Sequence, residues 1–245
     1  MLLLEPGESG LRIPRSDRRW EHLRKVLRKS PGDRVLAGIA DGPVGSALIR
    51  ELDESGFVLE FQAEGEAPPL APVTLILGFP RPIQAARILR DLASLGVSRI
   101  DLTGSDLGEK SYRQSDFFTK GDFRHHLVEG AEQACNPRLP VVTMHWTLRR
   151  CLDALGDVAN AQNASDRGSR LLLHPYGAGQ RMGSLEPLAP PVVLAVGSER
   201  GWTEPELRLL TSFGFSTVSL GRRILRTETA ALSAVSLALA RLGLM

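Results

Sequence analysis

The stretch VVLAVGSERGWTEPELRLLTSFGFSTVSLG, Val192 to Gly221, decides the fold. Its first five residues are apolar and mostly β-branched, which predicts a strand, Val192–Val196. Thr203 followed three residues later by Glu206 is a helix-start signal, and Gly214 stands where a helix stop belongs, so a helix is predicted over Glu204–Phe213. A second β-prone run, Ser216–Leu220, follows. Strand–helix alternation means a largely parallel sheet. The same alternation extends outward. Upstream it gives strands Val73–Phe79, Arg99–Thr103, Val141–Met144 and Leu171–His174, and helices Pro82–Leu95, Asp122–Cys135 and Thr147–Leu155. A polar loop is expected near Asn160–Gly168. Downstream comes a helix over Thr227–Leu242. Residues 73 to 245 therefore read as an α/β domain with a largely parallel sheet flanked by helices.

Residues 1 to 66 have a different texture. Arg34–Ile39, Val44–Leu52 and Phe57–Phe61 are short β-prone runs separated by turn signals at Pro31-Gly32-Asp33, Asp41-Gly42 and Glu54-Ser55-Gly56, which suggests a small barrel. One helix, Asp17–Arg28, interrupts them, with Trp20, Leu23 and Leu27 spaced to share a face. Between Leu11 and Lys29 stand eight Lys or Arg against two acids, a local excess suited to phosphates or to a solvated surface. Acids, small residues and three prolines from Glu64 to Pro72 mark a linker, taken as residues 67–72.

Several function classes drop out. With 42% hydrophobic and 24% charged residues the chain has the balance of a globular protein rather than a disordered one. The three leucines at Leu2–Leu4 are too few for a secretory signal, and Ser233, Ser236 and Arg241 interrupt the apolar run after Ala230, so neither export nor membrane insertion is expected. Cys135 and Cys151, without metal-like spacing, read as reduced thiols in a cytoplasm, and no metal is expected. Gly104–Ser111 is one residue short of a phosphate-binding P-loop, and Gly177–Gly183 has the wrong spacing for a dinucleotide turn. His125 and His126 are adjacent on a predicted helix, where side chains diverge by about 100°.

Ligands of parallel sheets bind beyond the carboxyl ends of the strands. Three loops occupy such positions: His174-Pro175-Tyr176-Gly177, Gly197-Ser198-Glu199-Arg200-Gly201, and Leu220-Gly221-Arg222-Arg223-Ile224-Leu225-Arg226-Thr227. Their glycines allow close backbone approach or a plain tight turn. Glu199 and Arg226 are charged residues within them.

At these loops the chain resembles the bacterial family that methylates N3 of a uridine in small-subunit ribosomal RNA, a branch of the SPOUT methyltransferases. The match is carried by LGRRILRTETA (Leu220–Ala230), HLRKVLR (His22–Arg28) with PGDRV (Pro31–Val35), EQACNPRLP (Glu132–Pro140), LLLHP (Leu171–Pro175) and VGSERGWTEPE (Val196–Glu206). The resemblance implies a trefoil-knotted parallel sheet behind a PUA-like RNA-binding barrel, S-adenosyl-L-methionine as methyl donor, and a homodimer. It also implies a cofactor site formed by His174, Pro175, Val196, Gly197, Ser198, Glu199, Gly201, Leu220, Gly221, Ile224, Leu225, Arg226 and Thr227. Glu199, as proton acceptor or positioner, and Arg226, beside developing negative charge, are the implied catalytic pair. Arg12, Arg15, Arg24, Lys25, Arg28 and Arg138 are the implied RNA contacts. One loop departs from the family's Gly-Pro-Glu-Gly-Gly: Ser198 replaces the proline and Arg200 the middle glycine. That departure keeps a second reading open, a weakened or inactive RNA-binding homologue of the same fold.

Overall fold

The computed structural model describes residues 1–155 and 168–245, so the polar loop expected near Asn160–Gly168 lies, except for Gly168, outside the described residues. Two compact units emerge: Met1–Pro69 with Val128–Leu139, and Leu70–Leu127 with Pro140–Met245.

The first unit is a curled half-barrel of five strands in the order β1-β3-β4-β5-β2. They are β1 (Leu2–Leu4), β2 (Arg12–Pro14), β3 (Arg34–Ile39), β4 (Val44–Asp53) and β5 (Gly56–Gly65). The strand β1 runs parallel to β3 and the other neighbours are antiparallel. Alternation explains the core: Val35 and Ala37 of β3 point inward while Arg34 and Leu36 point out, and Leu2, Leu4, Ile49, Phe57 and Leu59 complete the apolar cluster. The expected basic helix splits. A short helix α1 (Arg18–Glu21) gives way to a π-helical turn over His22–Val26, in which the Leu27 amide reaches back five residues to the His22 carbonyl. The widened turn breaks the 3.6-residue spacing. Trp20 and Leu23 stay buried, but Leu27 is 39% exposed instead of sharing their face.

The second unit is a seven-stranded sheet, parallel at every pairing, in the order β10-β12-β9-β11-β6-β7-β8. The strands are β6 (Ala71–Gly78), β7 (Val97–Thr103), β8 (Val141–His145), β9 (Ser169–Leu173), β10 (Gln180–Arg181), β11 (Val192–Val196) and β12 (Ser216–Ser219). Helices α2 (Pro82–Leu95) and α8 (Thr227–Arg241) pack together, α8 also lying on β6 and β11. Helices α6 (Leu148–Ala154) and α7 (Glu204–Ser212) add Leu148, Leu152 and Leu210 to a cluster with Val193 and Ala195 of β11. All five residues of β11 are buried, as a strand with a helical layer on either face requires. Thr203 and Glu206 form the reciprocal capping box read from the sequence, and Gly214, at φ 81°, follows α7. Between β7 and β8 lie α3 (Lys110–Arg113), α4 (Asp116–Thr119) and α5 (Arg124–Ala134). The rings of His125 and His126 do not diverge; their centroids are 3.8 Å apart. No helix among the described residues is long and apolar enough to cross a membrane.

Candidate active site

Strand order determines what can meet here. The neighbours β12, β9 and β11 are parallel, so the loops after them leave the sheet at one edge. The three loops singled out from the sequence are these. The first two strands are held in step by the His174 amide, which donates to the Val218 carbonyl at 3.0 Å.

The turn after β11 is compact without a proline. The Gly201 amide donates to the Ser198 carbonyl at 2.8 Å, and Gly201 takes φ 74°. A Cβ on Gly197 would come within 2.8 Å of Gly201 Cα, and one on Gly78, at the end of β6, within 2.4 Å of the Ser198 amide nitrogen. Bare backbone at 78 and 197 is thus a packing requirement. Ser198 is buried and shares a 3.3 Å hydrogen bond with the Ser105 hydroxyl. Glu199 and Arg200 are exposed.

Two cavities adjoin. A narrow, mostly apolar slot of about 70 Å³ is lined by Leu173, Pro175, Val196, Leu220, Ile224 and Leu225 together with His174, Gly221, Arg223 and Ala230. Ile224 and Leu225 also wall a wider cleft of about 560 Å³, whose other sides bear Arg81, Tyr112, Glu199, Arg200, Arg226 and Thr227. An apolar slot opening into a charged cleft suits a ligand with a flat apolar end and a polar, reactive end. The residues therefore fit an adenosyl group: the slot is narrow and apolar, and Gly221, at φ 138°, has open space beside it.

The two charged candidates differ. Glu199 Oε1 accepts the Arg81 amide at 3.0 Å, so this carboxylate ties its loop to the N-terminus of α2, where the exposed amides and the helix dipole favour negative charge. Arg226 is exposed at the N-cap of α8, and its guanidinium has no partner among the described residues. Gly78, Arg81, Gln84 and Tyr112 were not singled out from the sequence. Gln84 lines the cleft with its Oε1 buried and without a partner. Only the adjacency of β6 to β11 reveals these four.

The cations of the first unit are mostly engaged. Arg12 pairs with Glu51 and Asp53, Arg15 and Arg24 with Glu54, and Lys25 with Glu21. Arg15 and Arg24 also lie over the Trp20 ring. Arg138 donates through Nε to the Ala67 carbonyl at 3.1 Å. Arg28, at φ 50°, pairs with no acid among the described residues. The charge excess of Leu11–Lys29 is thus offset in part by Glu51, Asp53 and Glu54, which β4 and the turn after it bring to Arg12, Arg15 and Arg24. Such exposed pairs are weak enough for a phosphate to replace the acid.

Asp101, His145 and Cys151 place three potential metal-ligand atoms within 4.8 Å of one another. The cluster already contains its own cation. Arg99 donates twice to the Asp101 carboxylate, at 2.7 and 2.9 Å, and His145 Nε2 lies 2.9 Å from it. Burial, then the Asp101 charge, pushes the Cys151 thiol up to about 12. A metal would have to displace Arg99 and deprotonate that thiol, so the group reads as a structural network. In the folded protein at about pH 8, a thiol reagent is expected to label exposed Cys135 and spare Cys151, with both labelled after unfolding. Two labelled thiols in the folded state would refute that burial.

Residues 66–239 match the family model described as an RNA methyltransferase domain, and the chain belongs to this family. Within it, the chain is 40% identical over 229 residues to the ribosomal RNA small subunit methyltransferase E of Treponema pallidum, covering 91% of this chain and 83% of that protein. It is 30% identical to methyltransferase E 1 of Borreliella burgdorferi, covering 96% and 94%. Among solved structures, the methyltransferase E of Neisseria gonorrhoeae bound to S-adenosyl methionine superposes with TM-score 0.72 at 24% identity, covering 98% of this chain and 97% of that one. A probable rRNA methyltransferase of Porphyromonas gingivalis gives 0.73 at 21% identity, covering 96% of each. These two likenesses concern the fold.

Proposed function

We propose that this chain transfers a methyl group from S-adenosyl-L-methionine to N3 of a uridine in small-subunit ribosomal RNA. One observation carries the reading: a slot lined from the ends of β9, β11 and β12 shares Ile224 and Leu225 with a wider charged cleft that Glu199 and Arg200 of the loop after β11 also line. Its relatives, ribosomal RNA small subunit methyltransferases, one of them bound to S-adenosyl methionine, point to the same RNA and cofactor. The cofactor, when bound, supplies a methyl on a positively charged sulfur. The chain's task is then orientation. Val196, Leu220, Ile224 and Leu225 hold the flat adenine end, Gly201 and Gly221 leave room for the rest, and Gly197 and Ser198 keep the turn between them compact. The uracil enters the wider cleft, where N3 must lose a proton as its bond to carbon forms. Arg226, unpartnered and exposed, stabilises the negative charge that collects on the base oxygens. Glu199 acts first as a positioner through the Arg81 amide, and its exposed carboxylate, which lines the cleft, accepts the proton.

The rest of the assignment follows from this reading. Residues 1–66 serve as a PUA-like RNA-binding domain, 67–72 as a linker and 73–245 as a SPOUT domain with the family's trefoil threading. Arg12, Arg15, Arg24, Lys25, Arg28 and Arg138 contact RNA phosphates. The half-buried face of α8, with Leu232, Ser233, Ser236 and Leu237 beside Leu220 and Leu225, supports a homodimer. Action on ribosomal RNA is consistent with a cytoplasmic enzyme.

Calorimetry with S-adenosyl-L-methionine and mass spectrometry of methylated small-subunit RNA test the proposal together. Saturable binding that Gly197→Ala abolishes, with one uridine gaining a methyl mass, is the expected result. Ser198 and Arg200 favour the alternative of an inactive RNA-binding homologue. Absence of cofactor binding at millimolar concentration, with RNA binding retained, would select it.

A further inference from the structure

A separate cavity of about 610 Å³ opens beyond the carboxyl ends of β7 and β8, within the same compact unit as the cleft. Trp146, directly after β8, lies in its wall and is 61% exposed. The ring is held rigidly. Arg113 places its guanidinium carbon 3.8 Å from the ring centroid and donates through Nη1 to the Trp146 carbonyl at 3.0 Å, while its Nε is buried without a partner. Gly104 packs so closely that a Cβ there would stand 2.3 Å from the same carbonyl oxygen. The indole is backed by a cation on one face and the residue is largely exposed, the arrangement of a platform for a flat π-system.

The charges around it indicate a base rather than a phosphate groove. Lys110, Arg113 and Arg149 face Asp106, Glu109 and Glu206, so the lining is balanced and does not gather anions. Glu206 is consumed by the Asp106 and Thr203 amides, at 2.9 and 2.8 Å. Glu109 is exposed and Asp106 keeps one oxygen unpaired, and both can accept hydrogen bonds from an amino group. The position is equally specific. Helix α3 contributes Tyr112 to the wide cleft and the next residue, Arg113, to this cavity. Ser105, in the wall of the cavity, bonds Ser198 in the turn after β11. The two cavities are therefore neighbours across one helical turn.

We propose that this cavity binds an unpaired base carrying an exocyclic amino group, a nucleotide flanking the target uridine, stacked on the exposed Trp146. The inference rests on the RNA-methylating reading of the adjoining cleft. Single-stranded RNA pentamers with a central uridine and cytidine, uridine or abasic flanks, titrated against the full chain, provide the test. Base–aromatic stacking contributes about 1–3 kcal/mol, so wild-type protein is expected to bind the cytidine-flanked pentamer about tenfold or more tightly than the abasic one, with the uridine-flanked one between them. Trp146→Ala should erase the difference between cytidine and abasic flanks, and Trp146→Phe should restore most of it. Calorimetry with S-adenosyl-L-methionine should be unchanged in both variants. Wild-type protein that does not distinguish the pentamers, binds uridine flanks as tightly as cytidine, or keeps its preference in Trp146→Ala overturns the proposal. Failure of cofactor binding in the wild type would instead strike the methyltransferase reading, and the two results are independent.

Discussion

Arg226→Ala is expected to cut methyl transfer by about 10²–10³-fold, the loss typical when one preorganised donor to a developing anion is removed. The fold should tolerate the change, because the guanidinium is exposed and has no partner among the described residues. Its backbone carbonyl, which accepts the Ala230 amide at 2.8 Å, remains available to start α8. The loss should therefore fall on the single-turnover rate constant, leaving the cofactor dissociation constant within about twofold, a ground-state difference under 0.5 kcal/mol. A parallel loss of cofactor affinity would assign Arg226 to binding rather than to the transition state. Arg226→Lys separates charge from shape: it restores part of the rate if a point charge suffices and little if the planar fork is needed.

The second large effect belongs to the half-barrel. Arg19 is 7% exposed and reaches three partners. It donates to Glu8 at 2.8 and 3.0 Å, to Asp17 at 2.7 and 2.9 Å, and to the Leu3 carbonyl at 2.8 Å. Burial is the largest single influence and raises the Glu8 and Asp17 carboxyls, but the hydrogen bonds and charge of Arg19, with the Glu5 amide at Glu8, together outweigh it and both end below their ordinary values. Arg19→Met should destabilise this unit by about 3–5 kcal/mol, since it strands two partly buried carboxylates. Hydrogen exchange in β3 and β4 reads the loss. The sign with pH follows from the depressed carboxyls: their contribution is present above about pH 4, the unfolded range, and disappears as pH falls through the lower folded values. The gap between wild type and variant should therefore narrow on acidification, and a gap independent of pH would contradict the role given to Arg19.

The elements most legible in the sequence were those whose signal is local. The bounds of β3, α2 and β11 agree with their apolar patterns and flanking turn residues, and the Thr203–Glu206 box was readable because both partners lie within one helical turn. The strands β1 and β2 were not legible. Each has three residues, too few for a period, and each is a strand only through its pairing with β3 or β5. The π-helical turn was equally hidden, since a fivefold hydrogen-bond reach leaves no residue-type mark at His22–Val26. The candidate site divides along the same line. The loops at His174, Gly197 and Leu220 could be picked out because each follows a strand visible in the sequence. Gly78, Arg81, Gln84 and Tyr112 could not, because their approach depends on β6 lying next to β11 across more than a hundred residues. Cation counting in Leu11–Lys29 missed Glu51, Asp53 and Glu54 for the same reason.

Helix α8 gives the domain a particular order of completion. Its buried face, Ala231, Ala234, Val235, Ala238 and Leu239, covers β6 and α2, which were synthesised some 150 residues earlier. Until α8 has left the ribosome, those apolar surfaces lack the helix that covers them in the folded domain. Nascent chains that have emerged through β12 but not through α8 are therefore expected to be prone to aggregation and proteolysis, with the central sheet made but unsealed.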